Sequence, residues 1–544
     1  MAAHSYLHKG TLRKTLPVLL LLTAGLPAKK FYNDDPIQKE PPPVNVAKVK
    51  ARNLSDYYDL FENIASKRGE HHAKARLLPA RGVNTLGEVP DSSWYTNRHY
   101  QHPMTVEELV RGSGADNAPS TAGPWAVIAA KTEGITPGFM IRDSKGRRYL
   151  LKFDPRTNPE MATGADVISS KLFYALGYNV PENHLVHFRR AQLVVGHETM
   201  LTDRFGKRRA MTERDLTETL LDVPKDKDKQ YRAVASLYLA GKWLGPFRYY
   251  GTRKDDPNDI VPHEHRRDLR GLWAFCAWLD HDDSRAINTL DMLVEENSIQ
   301  FVKHHLIDFG STLGSSSTRA NSPRSGNQYL FAWKPAAAQI FSLGLYVPGW
   351  QRAHFPDLPA VGRFEAQVFD PERWVPDYRN AAFANCLPDD AFWAAKQVMA
   401  FTDEQIRAVV HTGQYSDPGS ENWLVDCLLK RRDKIGRAFF VKVLPLDRFA
   451  VQQGRLVFED LAVMHKFLSG RDYTAQWSRF NNDTGQKTPL AGETSLALPK
   501  QFLEASTGEY FVADIHAGEK AKTVTVYLRK KPGQVEVVGV ERTW

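Results

Sequence analysis

Cysteine is scarce in this chain of 544 residues, which contains three. Cys276, Cys386 and Cys427 lie far apart and form no CxxC pair, so we expect neither a zinc site nor a disulfide framework. Several catalytic motifs are also missing. There is no GxxxxGK-Ser/Thr phosphate loop, no GxSxG nucleophile turn and no HExxH zinc helix. These absences exclude the standard P-loop nucleoside triphosphatases and disfavour an α/β-hydrolase.

The composition is otherwise that of an ordinary globular protein of two or three domains. Hydrophobic residues make up 42% of the chain and charged residues 25%, which is ample material for buried cores. The formal net charge of +9 at pH 7 suits an anionic ligand such as a nucleotide. The positive residues form no compact Lys/Arg block with interleaved aromatics, so we do not expect nucleic acid as a partner.

The N-terminus combines basic residues with a short apolar run. Arg13 and Lys14 precede the apolar residues 16–28, a run that is too short to span a bilayer comfortably. We therefore expect residues 1–30 to be an export signal peptide or an N-terminal anchor. This predicts an exported or cell-envelope (periplasmic) protein with possible membrane association. The alternative is a cytoplasmic protein in which the segment is buried.

Changes of pattern divide the rest of the chain. Residues after 30 are rich in proline and lysine, strand-like alternation begins at residue 125, and helical periodicity begins near residue 215. We predict a linker and N-terminal extension at 31–124, a β-rich lobe at 125–214, a helical lobe at 215–450 and a C-terminal β-rich module at 451–544. The fold class is α+β, with a small β-rich lobe followed by a larger helical one.

The predicted elements of the two lobes frame the candidate site. They are strands at 125–131, 138–143 and 148–154, a helix at 161–176 ended by Gly177, a helix at 268–280, and strands at 290–294 and 300–307. The loop after the second helix carries Asp283 and, five residues later, Asn288. The second strand of the later hairpin leads into Asp308-Phe309-Gly310. This order of acidic and amide groups is typical of a phosphoryl-transfer site.

Phosphoryl transfer assigns a task to each of these side chains. Asp283 would orient the acceptor hydroxyl and accept its proton, while Asn288 and Asp308 would hold the magnesium ions on the nucleotide phosphates. Asp282 could replace Asp283 as the base, but only Asp283 has the five-residue spacing to Asn288. We therefore predict Asp283 as catalytic, and Asn288 and Asp308 as metal ligands.

A lysine and an acid upstream complete the predicted constellation. Lys152 follows an apolar run on a strand, and it can face a cleft while its neighbours face the core. The next helix offers Glu160 and Asp166; we favour Asp166 as the partner of Lys152, because an acid inside an apolar helix is harder to explain by helix stability. Backbone groups near Gly134 and Gly138, between the first two strands, would contact phosphate, although they form no GxGxxG motif.

With these residues the sequence resembles the atypical protein-kinase-like superfamily, closest in character to the HipA-type bacterial serine kinases and the phosphatidylinositol kinases. In these families an acid about 11 residues before a Gly-hydrophobic-x-Val-Pro motif opens the helix after the lysine strand, which matches Asp166 and residues 177–181. The resemblance covers about residues 125–345. It implies a bilobal kinase-like core that binds ATP and Mg²⁺.

The sequence departs from classical protein kinases in lacking His-Arg-Asp, Ala-Pro-Glu and the glycine triad. These departures put protein substrates in doubt more than they do ATP binding. We expect a phosphotransferase that uses ATP and Mg²⁺ on a hydroxyl acceptor, either a protein Ser/Thr or a small molecule. Two alternatives stay open: an inactive pseudokinase scaffold of the cell envelope, and an AMP transferase on the same fold.

Overall fold

The computed structural model describes residues 29–544 except 47, 66, 71–76, 115, 131–137, 198, 203–207, 331–340, 342–346, 493 and 519–520. The signal peptide or anchor predicted at 1–30 therefore falls outside the described residues, apart from its last two. Across the part of the chain that is described, no helix is both long enough and apolar enough to cross a membrane.

A six-stranded sheet forms the first lobe. The strands of this lobe are β1 (Trp125–Ala130), β2 (Gly138–Arg142), β3 (Arg148–Phe153), β4 (Asn183–Phe188), β5 (Leu193–Val195), β6 (Met200–Thr202), β7 (Arg208–Ala210) and β8 (Tyr231–Leu237). The sheet order is β4-β8-β3-β2-β1-β5, and β6 pairs with β7 in a separate hairpin. β8 comes after residue 214, where the sequence places the end of this lobe, yet it lies between β3 and β4 inside the sheet.

The helices of the described residues are concentrated after this sheet. They are α1 (Asp56–Ala65), α2 (Val106–Arg111), α3 (Met161–Ala175), α4 (Glu213–Leu220), α5 (Arg267–Leu279), α6 (Ala381–Ala384), α7 (Pro388–Met399), α8 (Asp403–His411), α9 (Pro418–Phe440), α10 (Leu461–Met464) and α11 (Lys500–Leu503). Helices α5 to α9 and the hairpin that follows α5 build the second, larger lobe. The predicted α+β class, with a β-rich lobe before a helical lobe, is confirmed by this arrangement.

Strand alternation decides which face of the first sheet is apolar. On β3, Tyr149, Leu151 and Phe153 are buried in one apolar cluster, which Leu216 and Leu220 of α4 also join. Side chains at the intervening positions of β3 face the other side of the sheet. That other side is the one that carries the candidate site.

Helix α3 packs against β3, β4 and β8 of this sheet and is buried along nearly its whole length. It was predicted at 161–176 and ends one residue earlier. Gly177 follows with a φ of 107°, a backbone conformation that favours glycine, and a Cβ there would lie 2.2 Å from the Tyr95 ring. Glycine is therefore required at this point both by the turn and by the close approach of Tyr95.

The helical lobe contains a three-stranded sheet in the order β11-β10-β9. Its strands are β9 (Lys242–Gly245), β10 (Thr289–Glu296) and β11 (Ile299–Leu306), and α5 precedes the β10–β11 hairpin as the sequence predicts. Phe275 and Trp278 of α5 pack with Trp393 of α7 and Leu428 of α9 in the largest apolar cluster of the described residues. This core fixes the end of α5, where the loop that carries Asp283 and Asn288 begins.

The C-terminal part is a hairpin and a five-stranded antiparallel sheet. Its strands are β12 (Leu446–Gln452), β13 (Arg455–Asp460), β14 (Thr474–Phe480), β15 (Lys487–Pro489), β16 (Tyr510–His516), β17 (Val524–Lys531) and β18 (Gln534–Arg542). The five-stranded sheet has the order β15-β14-β16-β17-β18. The period-two alternation that predicts strands near 510–515 and 523–528 corresponds to β16 and β17.

The start of the described chain packs on this C-terminal sheet, although the sequence there has the composition of a linker. Phe31 is buried against the rings of Phe480, Tyr510 and Tyr527. The Lys30 ammonium lies 2.5 Å from a Glu541 carboxylate oxygen. Two adjacent aromatic residues, Phe31 and Tyr32, among prolines and charges give no periodic signal, so this contact could not be predicted from the local pattern.

Candidate active site

Lys152 joins the two lobes through its ammonium group. Because Leu151 and Phe153 point into the apolar core of the sheet, Lys152 points to the opposite face, toward α3. Its Nζ lies 2.5 Å from Asp166 Oδ2 and 3.0 Å from Asp308 Oδ1. One cation thus bridges a carboxylate of α3 and a carboxylate of the segment after β11.

The Asp166 carboxylate is buried and hydrogen-bonded on both oxygens. Asn183 Nδ2 of β4 donates to Oδ1 at 2.8 Å, and Lys152 occupies Oδ2. Burial lowers the pKa of Lys152, but the Asp166 and Asp308 carboxylates outweigh it and hold the pKa above its usual range. Lys152 is therefore charged at neutral pH and is aimed into the space between the lobes.

Glu160, the other acid considered for this pairing, lies in a different environment. It precedes α3 with a φ of 70°, and its Oε2 accepts a hydrogen bond from the Ser416 backbone N–H at 2.8 Å. Its carboxylate therefore links the start of α3 to the loop between α8 and α9. The contact with Lys152 belongs to Asp166.

Asp308 and Phe309 point in opposite directions. Phe309 is buried and stacks on Phe173 of α3, with ring centroids 5.0 Å apart. Asp308 has a φ of 61° and a side chain that is 43% exposed. A left-handed backbone at a non-glycine residue is strained, and here Phe309 holds it by filling the core. This backbone conformation directs the Asp308 carboxylate into the cleft.

The Asp283 carboxylate is held by two side chains of its own loop. Arg285 Nε donates to Oδ1 at 2.7 Å and Asn288 Nδ2 donates to Oδ2 at 2.9 Å. Asn288 Nδ2 also donates to the Asp283 backbone oxygen at 2.7 Å. The Asp283 side chain stays 27% exposed. It is thus oriented but still reachable by an acceptor hydroxyl.

The β10–β11 hairpin brings the loop and Asp308 to the same end of the helical lobe. Thr289, the first residue of β10, pairs with Leu306, the last of β11. The next residue pair continues the contact, because the Ile307 backbone N–H donates to the Asn288 carbonyl at 3.0 Å. Asn288 and Asp308 therefore leave the hairpin side by side.

Asp282 is turned away from this end of the hairpin. Its buried carboxylate accepts hydrogen bonds from Asn321 Nδ2 and Ser325 Oγ. Burial, followed by the nearby carboxylates of Asp377 and Asp280, raises the pKa of Asp282 well above its usual range. Asp282 therefore anchors the segment at 321–325, and Asp283 is the carboxylate that faces Asn288.

Three residues with clear roles in this geometry were missed from the sequence: Asn183, which bonds Asp166; Arg285, which bonds Asp283; and His281. The buried His281 ring lies 5.9 Å from that of Phe173 and 6.1 Å from that of Phe309. Its Nδ1 lies 3.2 Å from the Ser311 carbonyl. The signal for His281 and Arg285 was their place two residues before and two after Asp283; Asn183 gave none.

Of the two glycines predicted to contact phosphate, Gly138 lies within the described residues and Gly134 does not. Gly138 is the first residue of β2 and pairs with Lys152 across the β2–β3 ladder. Gly134 lies in 131–137, outside the described residues. The backbone at Gly138 is thus next to the lysine on the same sheet.

A narrow cleft opens at the bridging lysine. Its lining includes Lys152, Asp166, Asp308, Thr163, Val234, Gly310 and Ser317. Within the described ranges, no group of three or more His, Cys, Asp or Glu side chains is placed to hold a metal ion by itself. Asn288 and Asp308 supply an amide and a carboxylate oxygen. That donor set fits Mg²⁺, which commonly takes one or two protein ligands and completes its shell with phosphate and water.

The sequence matches no family model and no curated protein. Among solved structures, it is similar to the proinflammatory kinase CtkA of Helicobacter pylori, with 10% identity, a TM-score of 0.28, and coverage of 56% of this chain and 94% of that chain. It is also similar to the Golgi casein kinase, with 8% identity, a TM-score of 0.28, and coverage of 61% of this chain and 75% of that one. A second structure of that kinase contains Mn and ADP and gives the same identity and TM-score, with 73% of its chain covered. The function proposed below therefore depends on the geometry of the site.

Proposed function

We propose that this protein is a phosphotransferase that moves the γ-phosphoryl group of ATP to a hydroxyl acceptor. The observation that carries the proposal is the bridging position of Lys152, whose ammonium contacts Asp166 on one lobe and Asp308 on the other. A charged lysine next to a half-exposed carboxylate, at the mouth of a cleft between a sheet and a helical lobe, suits a bound triphosphate and its metal.

Each residue would contribute by position and charge. Lys152 would donate to phosphate oxygens, Asp166 and Asn183 would keep the ammonium in place, and Asp308 with Asn288 would bind Mg²⁺. When bound, Mg²⁺ supplies positive charge that offsets the negative charge of the phosphates. In a dry cleft such fixed charges are the largest contributors to lowering the barrier.

Asp283 would act on the acceptor. The acceptor oxygen forms a bond to the γ-phosphorus, the bond from that phosphorus to the β–γ bridging oxygen breaks, and ADP leaves with the electron pair. The hydroxyl proton passes to Asp283 and then to water. Arg285 and Asn288 hold Asp283 for this step, because each donates to one of its carboxylate oxygens.

Asp308→Ala and Asp283→Ala separate binding from chemistry. We expect Asp308→Ala to abolish magnesium-dependent ATP binding in calorimetry. We expect Asp283→Ala to keep that binding and to lose roughly 10²–10⁴-fold in turnover, measured by transfer of label from γ-labelled ATP. Asp426→Ala removes an exposed carboxylate on α9 and is the matched control.

The outcomes distinguish the alternatives. Unchanged turnover in both variants would contradict the proposal. Binding of ATP by the natural protein without any transfer would indicate a pseudokinase scaffold. Transfer of label from α-labelled ATP with release of pyrophosphate would indicate an AMP transferase. The exported or envelope location remains a separate proposal, which depends on residues 1–30.

A further inference from the structure

Helix α1, from the N-terminal extension, lies against the catalytic loop. Asp59 is buried, and its Oδ2 lies 3.4 Å from Arg285 Nη1. The same guanidinium donates from Nε to Asp283. A carboxylate from more than 200 residues upstream is therefore one guanidinium group away from the proposed base.

Arginines surround this contact, and acids of the N-terminal extension pair with them. Arg248 Nε lies 3.5 Å from a Glu62 oxygen, and Arg379 Nη1 lies 3.3 Å from a Glu70 oxygen. Together with Arg285 they line a narrow cleft beside the catalytic loop. The body of the helical lobe contributes three cations to the cleft. The extension contributes the carboxylates of Asp59, Glu62 and Glu70 and one cation, Arg68, whose Nη1 lies 3.5 Å from a Glu62 oxygen.

Among the described side chains of α1, the fully buried one is charged and the large aromatic ones are exposed. Surface helices normally bury an apolar stripe and expose charges. Here Asp59 is buried, while Tyr57 is 85% exposed, Phe61 69% and Tyr58 50%. The described contacts that hold α1 on the lobe are mostly charged or polar, and the Asp59 and Glu62 side chains are only 3% and 11% exposed. The cost of desolvating a buried ion pair offsets much of its attraction, so a carboxylate of a partner can replace one of these acids at little net cost.

We propose that the arginine-lined cleft is the docking site for an acidic polypeptide acceptor, and that α1 occupies it as an internal substitute. Asp59, Glu62 and Glu70 would stand where carboxylates of the acceptor bind, with its serine or threonine hydroxyl next to Asp283. The occupant that the structure shows is itself a peptide segment, which favours a polypeptide partner. The inference rests on the proposed phosphotransferase function in one respect, the role of the bound peptide as the phosphoryl acceptor.

The affinity of the cleft can be tested without nucleotide. The probe is a short labelled peptide with one serine flanked by glutamates, compared with the same peptide carrying glutamines. Fluorescence anisotropy with the full-length protein measures both dissociation constants. We expect the glutamate peptide to bind more tightly, with a preference that fades as salt is added.

Variants of the N-terminal extension test whether its acids compete with the peptide for the cleft. The double variant Glu62→Gln/Glu70→Gln weakens the docking of the extension and should tighten binding of the glutamate peptide by about tenfold. Adding Arg248→Gln to this background should remove most of that gain. Glu504→Gln, an exposed change on the C-terminal part, is the matched control. Thermal melts of every variant report whether the fold is retained.

Two results would overturn the inference. One is equal affinity for the glutamate and glutamine peptides in the double variant. The other is unchanged or weaker binding of the glutamate peptide in that variant, which would show that α1 is only a structural support. ATP binding is measured separately. Its absence, with the peptide results intact, would contradict the phosphotransferase and leave the acidic-peptide site standing.

Discussion

The two large sheets of the molecule treat buried charge differently. The first sheet carries Lys152 on its inner face, and it needs Asp166 and Asp308 beside it. The C-terminal sheet packs one face almost entirely with apolar side chains, among them Trp477 and Val526, and its other face buries Arg529 in an ion pair with Glu536 of the neighbouring strand. A buried ion pair is a weak source of stability, whereas a buried apolar cluster is a strong one. The Lys152 ion pairs therefore add little to the net stability of the first sheet, as expected if the lysine has the proposed role of binding phosphate.

The largest expected effect comes from breaking the charge pair in the first sheet. Lys152→Met should lower phosphotransfer by roughly 10²–10³-fold, because a donor to the phosphates is lost. It should also lower the free energy of unfolding by about 3–5 kcal/mol, because it leaves Asp166 buried and unpaired by a cation. Kinetics and urea unfolding measure the two effects.

The double variant Lys152→Met/Asp166→Asn sharpens this result. Removing both charges should restore much of the stability but none of the activity. Full stability in the single variant would mean that the pair does not form in solution. Recovered activity in the double variant would contradict a catalytic role for the lysine.

The next largest effect lies in the C-terminal sheet. Trp477 is fully buried in its apolar cluster, and its Nε1 donates to the Ser495 carbonyl at 2.8 Å. Trp477→Ala should lower the free energy of unfolding by about 3–5 kcal/mol through the cavity it leaves. ATP binding in calorimetry should not change. A loss of ATP affinity at a temperature where the variant is folded would show that the sheet supports the site.

A smaller effect is expected on the pH dependence of stability, through Asp377 near the candidate site. Burial, followed by the charge of Asp283, raises the pKa of Asp377 from 3.8 to about 6. The folded protein therefore binds this proton more tightly than the unfolded chain does. Its contribution to stability is present below pH ~4 and is lost as the pH rises through about 6, at a cost of up to ~3 kcal/mol.

Asp377→Asn should remove this loss and raise the free energy of unfolding at pH 7. Urea unfolding between pH 4 and pH 7 measures it, with the exposed Asp426→Asn as the control. A variant that keeps the same decline in stability over this range would show that another group is responsible.

The smallest effect is expected at an exposed ion pair. Lys500 Nζ lies 3.6 Å from Glu504 on α11, and both side chains are largely in solvent. Lys500→Ala should change the free energy of unfolding by less than about 0.5 kcal/mol. A larger change would show that this exposed ion pair stabilises the C-terminal part more than such pairs usually do.

Local patterns predicted the elements that carry the site. The alternation around Lys152 gave the strand and the face on which the lysine lies, and the apolar stripe of α5 gave the helix before Asp283. The spacing of Asp283 and Asn288 favoured Asp283 over Asp282; in the structure Asn288 donates to Asp283, whereas Asp282 accepts from Asn321. These features depend on residues close together in the chain.

Contacts between distant segments were not predictable in this way. β8 enters the first sheet between β3 and β4, Asp59 reaches Arg285, and Phe31 packs on the C-terminal sheet. The apolar run of β8 predicts burial but not the neighbours of the strand, and the local pattern around Asp59 and Phe31 does not identify their partners. Their placement follows from packing between segments that are far apart in the chain, and local periodicity does not identify such partners.

The packing of Phe31 and Lys30 on the C-terminal sheet has a consequence for synthesis of the chain. Lys30 and Glu541 are 511 residues apart. At translation rates of about 5–20 residues per second, the partner strand emerges roughly 25–100 s after this segment. Until then the aromatic side chain stays without its pocket. The packing of this segment therefore waits for β18, and a ribosome stalled before Glu541 leaves the contact with Lys30 unformed.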